Sequence, residues 1–110
     1  LFRSGPSAGV AMYTALVSLV TGRTVRSDTA MTGEISLRGL VLPVGGIKEK
    51  LVSAERAGAE VFFVPSGNCA DMDGVGSHAR IVSVSTLDDA INALDALADP
   101  ATEGLVKGCT

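Results

Sequence analysis

Apolar and polar positions along this chain fall into a few distinct periods. Gly5-Pro6-Ser7-Ala8-Gly9 reads as a turn, and from Val10 to Val20 apolar residues come almost all round, interrupted by Thr14 and Ser18. That pattern predicts a helix packed on several sides and stopped at Gly22. Residues 30–37 alternate instead. Met31, Ile35 and Leu37 fall on one face and Thr32, Glu34 and Ser36 on the other, which predicts one strand. Arg38-Gly39 turns the chain, and Leu40 to Val44 returns as the hairpin partner. Gly45-Gly46 opens a second helix over 47–57, closed by Gly58. Val61-Phe62-Phe63-Val64 reads as a short buried strand ended by Pro65, residues 66–79 as a Gly-rich loop, and Ile81 to Val84 as another strand. Thr86 and Asp89 have the spacing of a capping box. The helix they open carries Leu87, Ala90, Ile91, Leu94, Leu97 and Ala98 as its apolar stripe. The strand–helix–strand–helix order of the second half implies an α/β (α+β) fold with a mixed, partly parallel sheet and packed helices. One domain spans residues 1–98, and residues 99–110 read as a frayed, flexible tail.

Composition narrows the function classes. Of 110 residues, 46% are apolar and 19% charged, enough for a core of small aliphatics and wrong for a disordered chain. The net charge is −3, but it is unevenly placed: residues 1–50 hold six basic and three acidic side chains, residues 51–110 three and nine. A duplex-binding surface needs a basic footprint, so nucleic acid is not an expected partner. Cys69 and Cys109 stand far apart, and they read as two free thiols, the pattern of a reducing, cytoplasmic location. With a single His beside them they fall short of the about four N/S ligands of a zinc site, so no metal is expected. Val10–Val20 is shorter than the about 20 apolar residues of a membrane span, and no signal segment precedes it.

Two places carry candidate chemistry. Ser7 sits among small residues at a helix start, where backbone N–H groups of Ser7 and Ala8 are free to hold an oxyanion near the positive end of the helix dipole. The plain alternative is that Ser7 is only the helix N-cap. A nucleophilic hydroxyl needs a base, and His78, flanked by Ser77 and Ala79 in a loop, has no carboxylate beside it to complete a triad. A lysine is the other choice. At ~100° per residue, Lys50 falls inside the stripe of Ile47, Leu51, Ala54 and Ala57, whereas Lys48 falls beside Glu55 on the exposed side. An amine in that stripe loses hydration, which suits proton acceptance; the plain alternative is a lysine that snorkels to solvent. Thr32 could orient such an amine and Glu34 could pair with a cation, unless both lie on a solvated strand face. Residues 74–79 match a dinucleotide fingerprint in letters only, since a strand follows them rather than a helix. Asp71-Met72-Asp73-Gly74 lacks the later ligands of a calcium loop, and no Walker motif is present.

These residues together resemble a known family. GPSAG at 5–9, AMTGEISLRG at 30–39 and VLPVGGIKEKL at 41–51 resemble the proteolytic domain of Lon-type serine proteases, and VPSGN at 64–68 is similar to that family's strand-Pro-loop-Asn continuation. The resemblance implies an endopeptidase that degrades unfolded or damaged polypeptides through a Ser-Lys dyad. Ser7 matches the nucleophile, Lys50 rather than Lys48 the base, and Thr32 the threonine that contacts the lysine. It also implies a homo-hexameric ring with sites facing an internal chamber. Phe2-Arg3-Ser4 stands where the family commonly has Pro-Lys-Asp, so Ser4 replaces an acidic residue near the nucleophile. Family domains carry several strands before the serine, so the chain, which opens on Leu1, reads as the C-terminal part of such a domain. In the family either an ATPase module or a membrane anchor with a peptide-binding domain precedes it. GNCAD at 67–71 is similar to the ATPase-free branch and MTGEISLRG to the ATP-dependent one. ATP dependence, with ATP and Mg, is expected only of a preceding ATPase module, and no cofactor of this segment itself. A non-catalytic module serving as a ring-forming or partner-binding scaffold is the rival reading. An RNA-binding domain on a related fold is disfavoured by charge and by the absence of an aromatic platform.

Overall fold

The computed structural model describes residues 28–110, and the helix expected over 10–22 lies outside them. The strands are β1 (Thr29–Met31), β2 (Glu34–Ile35), β3 (Val41–Leu42), β4 (Val61–Pro65) and β5 (Arg80–Val84). Two α-helices, α1 (Ile47–Arg56) and α2 (Leu87–Leu97), and 3-10 helices at Ser66–Met72 and Glu103–Leu105 complete the described residues. β1, β4 and β5 form a parallel sheet in that order, with Ala30 opposite Phe62 and Phe62 opposite Ile81. β2 and β3 pair antiparallel in a separate two-stranded sheet. The architecture is mixed α/β, as the order of elements implied, with the parallel and antiparallel pairings in separate sheets among the described residues.

Each strand of the parallel sheet is apolar on both faces, and the two faces serve different cores. Ala30, Phe62 and Val64 pack with Ile47, Leu51 and Ala54 of α1. Met31, Phe63, Val82 and Val84 pack with Val41 of the hairpin and with Ala90 and Leu97 of α2. A sheet covered on both sides reads in sequence as an unbroken apolar run, which is what Val61 to Val64 is. Phe62 and Phe63 are both fully buried, at about 1.5–3 kcal/mol of transfer free energy each.

The single strand expected over 30–37 is two strands. The break falls at Gly33, whose φ of 146° lies where side chains other than glycine rarely go, and where an added Cβ would come within 2.7 Å of Val41 Cγ1. β1 therefore ends in the parallel sheet, with the Thr32 N–H donating to the Phe63 carbonyl (3.1 Å), and the chain swings out to pair β2 with β3. The expected alternation fails with it: Thr32 is 2% exposed while Leu37, at the hairpin tip, is fully exposed at 108%. The helices fit their sequence signals closely. α1 starts from Gly46 at φ 67° and is followed by Gly58 at φ 94°. In α2 the Asp89 N–H donates to Thr86 Oγ1 (3.0 Å) and the Thr86 N–H donates to Asp89 Oδ2 (3.0 Å), completing the capping box.

The C-terminal tail differs from the frayed end expected of residues 99–110. The Ser83 N–H donates to the Lys107 carbonyl (2.9 Å), the Arg80 guanidinium donates to the Glu103 and Val106 carbonyls, and Val106 packs on the α2-side core. Cys69 and Cys109, expected as free thiols, are joined by a disulfide, with Cα atoms 5.2 Å apart. The tail runs back along the edge strand β5, and that path delivers Cys109 to the 3-10 helix carrying Cys69. Linear distance along the chain held no trace of it. A reducing compartment inferred from two isolated thiols therefore loses its premise.

Candidate functional site

Of the candidate site residues, Thr32 and Lys50 lie among the described residues, at the sheet face that α1 covers. β1 presents alternate residues to alternate faces, so Thr32, two positions beyond Ala30, follows it onto the α1 side. Thr32 Oγ1 is buried and finds no hydrogen-bond partner among the described residues. Such a group is uncommon, because an unmade bond of a buried hydroxyl costs about 1–3 kcal/mol. The alternative that Thr32 lies on a solvated strand face does not hold, since the residue is 2% exposed. Glu34 is exposed on the far side of the Gly33 break and shares no face with it.

On α1, Ile47, Leu51 and Ala54 are buried, Lys50 is half-buried and Lys48 is exposed. The helical period separates the two lysines as the wheel predicted, although Ala57, placed in the stripe, is exposed at the helix end. Helical side chains lean toward the N-terminus. Lys50 does so: a Cβ added at Gly46 would lie 3.9 Å from Lys50 Nζ, so the amine folds back over the first turn. The Lys50 N–H also donates to the Gly46 carbonyl (3.0 Å), the first bond of the helix. The structure draws no hydrogen bond between Lys50 and Thr32 Oγ1. Ser7 and Ala8 lie outside the described residues.

Two side chains that the motif reading left without a role hold α1 in place. Asn68, 2% exposed, accepts from the Val44 N–H (2.9 Å) and donates through Nδ2 to the Val44 carbonyl (2.8 Å) and to Asp71 Oδ2 (3.0 Å). Glu55, read as a solvated residue, accepts from the His78 and Ala79 N–H groups (2.9 and 3.3 Å). The bonds to Val44, His78 and Ala79 each span more than twenty residues to a backbone group, which carries no residue-type signature. His78 itself is exposed in its loop. A cavity of about 460 Å³ between β5, α2 and the tail, lined by Ser85, Asp89, Asn92 and Lys107 among others, lies on the α2 side, apart from Lys50. Among the described residues no cluster of three or more His, Cys, Asp or Glu is placed to hold a metal ion. No described helix is long and apolar enough to cross a membrane.

The orphaned hydroxyl gives a direct test. Thr32→Val removes a polar atom with no described partner, so the thermal midpoint is expected to hold or rise. A loss above about 2 kcal/mol would mean that the hydroxyl is a satisfied part of the folded core.

The family model described as the Lon protease (S16) C-terminal proteolytic domain matches residues 2–96. The chain is 58% identical over 95 residues to a Lon protease of Methylocella silvestris, an alignment covering 83% of this chain and 12% of that relative. It is 53% identical over 95 residues to human Lon protease homolog 2, peroxisomal, covering 83% and 11%. Against a Lon protease of Mycolicibacterium smegmatis it is 47% identical over 102 residues, covering 92% and 13%. The chain thus spans 11–13% of the length of these curated relatives.

Proposed function

The chain belongs to the Lon protease (S16) C-terminal proteolytic domain family, and from that premise we propose that it supplies the catalytic dyad of a serine endopeptidase. Ser7 Oγ attacks the scissile carbonyl while the neutral amine of Lys50 takes its proton. Collapse of the tetrahedral intermediate breaks the C–N bond, and Lys50 returns the proton to the leaving amine. Water, activated by the same amine, then attacks the acyl-serine and releases the second product. The N–H groups of Ser7 and Ala8 hold the oxyanion in both steps.

The observation that carries this reading is the placement of Lys50. Its amine folds over the first turn of α1, half-buried, on the helix that covers the sheet face carrying the Thr32 hydroxyl, which has no hydrogen-bond partner among the described residues, while Lys48 is exposed. Thr32 is proposed to orient that amine when the site is complete. Unfolded or damaged polypeptides are the proposed substrates and a homo-hexameric ring the proposed assembly. ATP dependence would arise outside this segment, which has no P-loop motif to bind nucleotide.

A serine-directed acylating probe tests the reading in the intact protein that carries this segment. Labelling is expected on Ser7, mapped by peptide mass, and lost in Ser7→Ala together with cleavage of an unfolded polypeptide. ATP is expected to raise the cleavage rate. Cleavage that survives Ser7→Ala would overturn the nucleophile. An unlabelled Ser7 in a protein that cleaves nothing would favour the scaffold reading.

A further inference from the structure

We infer that Asn68 is the positioning residue for Lys50, acting through a two-point clamp on the backbone of Val44; this rests on the proposed Ser7–Lys50 dyad. The amide of Asn68 satisfies both backbone groups of Val44 at once, as a neighbouring strand would, and its remaining Nδ2 hydrogen is held by Asp71. Three of the four bonds that an asparagine amide can make are therefore committed, and the side chain is 2% exposed. Among the described residues, no other side chain hydrogen-bonds to the stretch 43–46 between the hairpin and α1. Upstream, Val41 is tied to the Ser85 carbonyl (2.9 Å). Downstream, Gly45 and Gly46 have no side chains with which to anchor themselves, and α1 has no side-chain N-cap. Gly67 adds a second contact to the clamp: an added Cβ would collide with Pro43 Cγ, so the 3-10 helix sits directly against residues 43 and 44.

The consequence reaches Lys50 through the backbone. Val44 is two residues before Gly46, and the Gly46 carbonyl accepts the N–H of Lys50. A shift of Val44 is passed through Gly45 to Gly46, which no side-chain cap holds in place, and from there to the turn over which the amine folds. A displacement of about 1 Å at a reacting group costs on the order of 10²-fold in rate. The hydrogen bonds of Asn68 go to Val44 and Asp71 and none goes to Lys50, so its expected effect is on the rate of proton transfer rather than on substrate affinity.

The test uses the intact protein carrying this segment and counts active sites by Ser7 acylation. Lys50→Ala comes first: if it retains cleavage, the dyad reading fails and the role of Asn68 falls with it for that reason alone. With Lys50→Ala inactive, Asn68→Ala is expected to lower kcat per active site on the order of 10- to 100-fold, with KM within about twofold. A role confined to folding would lower the number of active sites and leave kcat per site unchanged. Asn68→Asp/Asp71→Asn provides a second arm that does not depend on Asn68→Ala folding. It keeps a hydrogen bond between positions 68 and 71 and an acceptor for the Val44 N–H, but removes the donor to the Val44 carbonyl. The double variant is expected to keep the thermal midpoint closer to wild type while kcat stays low. Wild-type kcat per site in either variant would overturn the inference.

Discussion

Replacing Lys50 by alanine is expected to lower peptide cleavage by at least about 10³-fold, the scale on which removal of one member of a nucleophile–base pair acts, whereas Lys48→Ala leaves it within about twofold. The two lysines lie two residues apart on one helix, so sequence context and local charge are nearly the same for both. What differs is direction. About 200° of helical rotation separates them, which leaves Lys50 half-buried over the first turn of α1 and Lys48 in solvent. Lys50→Arg sharpens the test. A guanidinium keeps the positive charge and much of the length but does not give up its proton in a protein. If Lys50 works as a base, Lys50→Arg is as inactive as Lys50→Ala. If it works as a fixed cation holding the oxyanion, Lys50→Arg retains a substantial share of the rate. Single-turnover acylation of Ser7 by a chromogenic ester separates these outcomes without any contribution from polypeptide unfolding. Loss of activity in Lys48→Ala to the same degree would move the base to the exposed side of α1 and overturn the assignment.

The parts of this fold that were legible in sequence are those fixed by neighbours in sequence. The Thr86–Asp89 capping box, the glycines flanking α1 and the four apolar residues of β4 are local devices, and the structure realises each of them. Gly33 marks the limit of that reading. Letters at 30–37 alternate as in one strand, yet the backbone turns at φ 146° because the hairpin must leave the parallel sheet and Val41 closes on the glycine. The same turn explains why Thr32 and Glu34, two apart in a regular alternation, end on different sides of a break. Lys50 was legible because helical period alone separates it from Lys48. Asn68 was not, because its partner is the backbone of a residue 24 positions away, and a backbone group has no letter. The 3-10 helix that presents Asn68 was hidden for a related reason: most of its residues are small, with no helical period, and they hold that turn by contact with Pro43 and Val44 rather than by helix propensity.

Reduction of the Cys69–Cys109 bond is expected to free the last dozen residues and to lower the stability of this segment by about 4 kcal/mol, the chain-entropy estimate for a loop of this size, the two cysteines being separated by 40 in sequence. The noncovalent contacts that fasten the tail to the rest of the fold are few: besides the bond from Thr102 Oγ1 to the Ala96 carbonyl (2.9 Å), they gather at Ser83, Arg80 and Val106. The Ser83–Lys107 bond and the two carbonyls bound by Arg80 supply about 1 kcal/mol each. Val106 packs on the core, but Leu105 is 75% exposed and buries little. Ordering a residue's backbone costs roughly 1–2 kcal/mol, so a tail of this length exceeds what those contacts return. The bond acts by removing that freedom from the unfolded chain. Amide hydrogen exchange reads the release locally, even inside a larger protein: with reductant, the Ser83 N–H loses its Lys107 acceptor and is expected to exchange faster, together with the amides of residues 103–109. Cys109→Ser should reproduce the change without reductant, and reductant should then add nothing further. Catalysis is expected to respond differently. Asn68 is fixed to Val44 and Asp71 by its own hydrogen bonds, and Gly67 is seated on Pro43, so the clamp at the start of α1 does not pass through the sulfur bridge. Tail release at unchanged kcat separates the two devices. A parallel loss of kcat in Cys109→Ser would show that the tail supports Lys50 as well, and unchanged exchange on reduction would show that hydrogen bonds and packing suffice to hold it.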